Sequence, residues 1–151
     1  EQEQEQSIPV EHQRFKFFAS LIAHSSLESG LIDAVVVCLE SDEDVAMARS
    51  VLIRFLESRK GSSDDFERIA AANILNDYSK LIEKLRIRRI IETAPVTELI
   101  EKSIVLGDSI LQRELLDTRE LSQENLKVLE SSGANKKVRN IASVALKKRS
   151  T

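Results

Sequence analysis

Two groups of cations are the residues best placed to do chemistry in this chain. Lys84, Arg86, Arg88 and Arg89 fall within two helical turns. Lys136, Lys137, Arg139, Lys147, Lys148 and Arg149 crowd one later stretch with no acid between them. Gathered on a face, such side chains hold a polyanion, either the backbone of RNA or DNA or an acidic segment of a protein. Cations near a helix C-terminus also complement the helix dipole, which accounts for Lys147 to Arg149. Lys136 and Lys137 start their helix, where the dipole disfavours positive charge, and so point to binding. The expected partner-binding residues are Lys136, Lys137, Arg139, Lys84, Arg88 and Arg89. Base stacking needs exposed aromatics. The five Phe and Tyr78 read mostly as core, which ranks protein above nucleic acid as the ligand.

Other chemistries find little support. His12 and His24 are the two histidines. Twelve residues of continuous helix would hold them about 18 Å apart, too far to share a metal. The chain contains no His-x-x-x-His, Cys-x-x-Cys, Gly-x-Ser-x-Gly, phosphate loop or dinucleotide fingerprint. The acidic runs Glu40 to Asp44 and Asp64 to Glu67 fall at helix starts, where the dipole explains them. The expectation is a non-enzymatic chain with no cofactor, no metal and no small-molecule substrate.

A formal net charge of −3 gives no bulk drive toward nucleic acid or membrane. The longest apolar run, Ala34 to Leu39, is too short to span a bilayer. Cys38 sits in that run and reads as a buried, inert thiol. A single cysteine fits the cytoplasm or another reducing intracellular compartment.

The elements that must position these residues are helices. Four Gly and two Pro in 151 residues are too few for the many turns of a β-rich fold. The first residues alternate Glu and Gln, so 1–8 is expected to be a disordered tail and 9–150 a single α-helical domain. Helices are expected from Val10 to His24 and from Leu31 to Glu40, the second buried almost all round. The next, with Asp42, Glu43 and Asp44 in its first turn and its end near Arg59, places Val45, Ala48, Val51, Leu52, Phe55 and Leu56 inward. A long helical pattern from Asp64 to Thr93, capped by Asp64 or Ser63, should bend near Asp77 to Lys80. Val96 to Leu106 should end at Gly107, with Asp108 capping Ser109 to Asp117. Ser122 should cap Gln123 to Ser131, Gly133 should close it, and the last helix should begin near Asn135. Leu39, Leu52, Leu75, Leu111, Leu129 and Leu146 are the expected core anchors.

From Leu121 on, LSQENLKVLESSGANKKVRNIASVALKKR resembles a helical hairpin of the HEAT or armadillo type. The residues that carry the likeness are Val138-Arg139, Ala142 and Ala145-Leu146. Ala48 and Ala71 begin weaker copies of the same small-then-large pattern. The resemblance implies an all-α fold of antiparallel hairpins stacked as a short superhelix. The alternative is a non-repeat helical bundle. It also implies a protein–protein interaction module, a scaffold or adaptor, whose surface docks another protein. The second expectation is a nucleic-acid-associated helical protein that uses the same basic groups.

Overall fold

The structure, a computed structural model, describes residues 10–23, 29–58 and 61–149. The expected tail 1–8 and His24 lie outside the described residues. The fold is all-α, with no strand among the described residues. Its helices are α1 (Val10–Ala23), α2 (Ser29–Glu40), α3 (Val45–Glu57), α4 (Ser63–Ala70), a 3-10 segment (Asn73–Tyr78), α5 (Ser79–Ile90), α6 (Val96–Leu106), α7 (Ser109–Thr118), α8 (Gln123–Ser132) and α9 (Lys136–Arg149). The chain divides into two compact units, Glu1–Ser79 and Lys80–Thr151.

In the first unit α3 is the centre, packed by α1, α2 and α4. Its apolar side chains recur at helical spacing, so Ala48, Val51, Leu52, Phe55 and Leu56 all turn inward and are buried. Asp44 caps it by accepting the Met47 amide at 3.0 Å. The cap of α4 is Ser62, before both expected positions, Ser63 and Asp64. Ser62 accepts from the Asp65 amide while Asp65 accepts from the Ser62 amide, a reciprocal pair that satisfies two otherwise orphan donors.

Two expectations are corrected here. The interruption expected near Asp77 to Lys80 begins earlier, at Ala71 and Ala72, and continues as the 3-10 segment to Tyr78, after which α5 starts. Tertiary partners take up backbone groups there: Asn73 N–H donates to Glu40 at 2.7 Å, and Arg49 donates to the Ile74 carbonyl at 2.8 Å. Second, α2 is not buried all round. Ile32, Val35 and Leu39 form its inner stripe, while Leu31, Val37 and Cys38 are exposed. The physical reason is that α3 and α4 cover one side of it. The Cys38 thiol is therefore accessible rather than buried. The aromatics likewise depart from a uniform core reading. Phe55 and Phe66 are buried, Phe15, Phe18 and Tyr78 are half-buried, and Phe17 is exposed.

In the second unit Leu99, Ile100, Leu111, Leu115, Leu126, Leu129, Val138 and Ala142 are among the side chains of one buried cluster. Of the expected anchors, Leu39, Leu52, Leu75, Leu111 and Leu129 are buried and Leu146 is half-buried. Gly107 ends α6 in the left-handed conformation (φ 67°), and Asp108 accepts the Leu111 amide at 2.9 Å to begin α7, both as expected. Gln112 is fully buried on α7. It donates to the Ser103 carbonyl at 3.1 Å and accepts from the Ala134 amide at 2.8 Å, tying α6, α7 and the α8–α9 turn together. Arg119 donates to the carbonyls of Ile91 and Ala94, at 2.8 and 2.9 Å, and holds the turn that follows α5.

Candidate functional site

The site is built on α9, and the α8–α9 turn sets where that helix points. Ser122 caps α8 by accepting from the Asn125 amide at 3.1 Å. Gly133 then closes α8 with φ −56°, a conformation any residue can adopt. Space is what selects glycine: an added Cβ would lie 2.6 Å from the Leu129 carbonyl oxygen and 2.9 Å from Val138 Cγ1. Asn135 accepts from the Val138 amide at 2.9 Å and starts α9. Val138 and Ala142 bury the inner face against the unit's core, with Ala145 and Leu146 packed partly against it.

The opposite face of α9 is cationic. Lys136, Lys137, Asn140, Val144, Lys147, Lys148 and Arg149 are all exposed. At 100° per residue Lys136, Asn140 and Lys147 lie along one line, and Lys137 and Val144 along the next. From Lys136 to Lys147 the stripe is about 17 Å long at 1.5 Å per residue. No acid interrupts α9 in sequence. Lys136 and Lys137 occupy its first turn, where positive charge works against the dipole by about 0.3–1 kcal/mol each.

The other expected binding residues are placed differently. Lys84 reaches Asp108 at 3.3 Å, and Arg88 reaches Glu114 at 3.3 Å, so both pair with acids at the start and middle of α7. Arg86, in the same run, pairs with Glu83. Arg89 is half-buried. Arg139 donates to the Gly133 carbonyl at 2.9 Å and so braces the turn that aims α9. The structure thus gathers Lys136 and Lys137 on one exposed helical turn, while Lys84 and Arg88 are engaged inside their own unit. Asp108 reflects this. Partial burial raises its carboxyl, but the Leu111 amide, Lys84 and the Ile110 amide together pull it below the usual carboxylate range.

Compared with known proteins, the chain matches no family model, no curated protein and no solved structure.

A feature that sequence reading missed is the division of charge. Residues 1–79 hold 15 acidic and 7 basic side chains, and residues 80–151 hold 10 acidic and 15 basic. The modest total of −3 is therefore the sum of −8 and +5. The signal was available, since charge asymmetry between halves is readable from sequence once the boundary is known.

Hollows lie beside the described helices. One of about 510 Å³ in the second unit has Ile87, Val105 and Leu106 between Lys80, Glu83, Glu101 and Lys102. Another of about 390 Å³ in the first unit is lined by His12, Phe15, Asp44, Ala46, Met47 and Ser50. The Ser50 hydroxyl there donates to the Ala46 carbonyl at 2.9 Å, a helix back-bond. Among the described residues no three His, Cys, Asp or Glu side chains are grouped to hold a metal ion. None of the described helices is long and apolar enough to cross a membrane.

Proposed function

We propose that this chain is a non-enzymatic protein–protein interaction module, a scaffold or adaptor of helical-repeat type, which docks an acidic protein segment on the outer face of α9. The observation that carries the reading is the pair Lys136 and Lys137. Both are exposed, both stand in a helical first turn that disfavours them, and neither has an ion-pair partner among the described residues. A charge kept against its own helix dipole is stabilised when an anion arrives. By contrast, the cations of α5 at Lys84 and Arg88 already have carboxylates.

The α8–α9 hairpin supports a HEAT- or armadillo-like superhelix. Val138 and Ala142 pack inward, and a small residue at position 142 lets a neighbouring helix come close. A reducing intracellular compartment suits a chain whose one cysteine, Cys38, presents an accessible thiol.

The test compares wild type with the double variant Lys136→Glu/Lys137→Glu in affinity capture from native extract. Wild type is expected to retain an acidic protein that the variant loses. Arg139→Glu is unsuited to this comparison, because losing the bond to Gly133 would disturb the turn itself. Equal capture by both proteins would remove α9 as the docking face. In parallel, fluorescence anisotropy with mixed-sequence RNA and DNA at two salt concentrations decides the polyanion. Salt-sensitive binding to nucleic acid that the variant loses would replace the protein reading with a nucleic-acid one.

A further inference from the structure

We propose that the cationic face of α9 takes the acid-rich N-terminal unit of a second copy of this chain, so that copies associate head to tail. This names a partner for the docking face and rests on the reading of that face given above.

The occupant follows from charge complementarity. The first unit carries 15 acidic against 7 basic residues, and four of its basic side chains are already occupied at home. Arg14 pairs with Asp42 and Arg68 with Asp33. Arg49 holds the Ile74 carbonyl, and Arg54 lies over the Phe15 ring. Glu43, Glu57, Asp64 and Asp77 of this unit are exposed. The second unit has the opposite balance, and the α5 cations Lys84 and Arg88 are spent on Asp108 and Glu114. Lys136, Lys137 and Lys147 on α9 are exposed, as are Lys127, Lys148 and Arg149 of the same unit.

Unlike patches that meet make a heterologous contact. Each copy carries exposed charge of each sign, so contacts repeat from copy to copy until a ring closes, a pair joined by two contacts being the smallest. The contact is between exposed charges, which are individually weak and strongly screened. Its signature is therefore sensitivity to salt rather than tight binding. At about 10 mM ionic strength charges act over about 30 Å, and at about 1 M over about 3 Å.

The experiment is sedimentation equilibrium on the full chain across a range of concentrations at those two ionic strengths. At low salt the average mass should climb with concentration from 17.0 kDa to twice that value or beyond, and at high salt it should stay at 17.0 kDa. A monomer throughout, or association that salt leaves unchanged, overturns the proposal. The variant Lys136→Glu/Lys137→Glu/Lys147→Glu should remain monomeric at low salt with an unaltered circular-dichroism spectrum. Mixed with wild type it should still form pairs, because its N-terminal unit is intact. Association of the variant alone at the wild-type level also overturns the proposal. Fluorescently labelled polyglutamate separates the two readings. If the chain stays monomeric yet binds this probe through α9, self-association fails and the docking face stands. If neither occurs, both fail.

Discussion

Gln112→Met removes two hydrogen bonds from the middle of the second unit at little cost in shape. The wild-type amide is fully buried and serves Ser103 and Ala134. The loss is unequal at the two ends. The Ser103 carbonyl keeps the Gly107 amide at 2.9 Å, so it stays satisfied. The Ala134 amide loses its side-chain acceptor and is left to find water at a turn. One orphaned donor costs about 1–3 kcal/mol, and Met recovers part of that by burying apolar surface. The net expectation is a loss of about 1–2 kcal/mol. At about 2–4 °C per kcal/mol for a chain of this size, the melting point should fall by about 2–8 °C. Urea denaturation followed by circular dichroism gives the same quantity as a shifted midpoint at constant slope. Because Ala134 lies in the turn that starts α9, amide exchange around Asn135 to Val138 should quicken. An unchanged midpoint, with exchange in that turn also unchanged, would refute the claim that Gln112 links the three helices.

Two glycines should fail for different reasons. Gly133→Ala forces a Cβ against the Leu129 carbonyl and Val138 and should cost about 1–3 kcal/mol through overpacking. Gly107→Ala meets no atom within 4 Å and should cost about 1–2 kcal/mol through its left-handed backbone alone. A compensating Val138→Ala should therefore rescue part of the first in urea denaturation. Asp108→Asn keeps the helix cap but loses the charge that Lys84 meets. Because the folded carboxyl titrates below its ordinary range, its contribution is present above the unfolded value near about 3.9. It is lost as pH falls through the lower folded value. The variant should be less stable than wild type at pH 7 by about 0.2–1 kcal/mol, and the gap should close in acid. A gap that persisted fully below that range would contradict the ion pair. Cys38 should react with a thiol reagent in the native protein at a rate near that of a free thiol. Protection until unfolding would place it inside.

Much of the helical layout was legible because local rules governed it. Gly107, Asp108 and Ser122 announced their caps by residue type, and Val45 to Leu56 announced a buried face by period. What stayed hidden depended on neighbours distant in sequence. The 3-10 segment follows Ala72 because Glu40 and Arg49 take up backbone groups around it, and nothing local marks that. In α2 nearly every residue is apolar, so no period told the covered side from the open side where Cys38 stands. The residues expected to bind divide the same way. Lys136 and Lys137 were readable from their place at a helix start. The engagement of Lys84 with Asp108 and of Arg88 with Glu114 required the fold to bring α7 beside α5.

The docking face is tested most directly by titrating labelled polyglutamate against wild type and Lys136→Glu/Lys137→Glu, with thermal melts of both. The exchange improves the electrostatics of the first turn of α9, so the variant should melt no lower than wild type. Its affinity should fall by at least about tenfold, the equivalent of about 1.4 kcal/mol. Equal affinity of two equally folded proteins would contradict the assignment of α9 as the docking face.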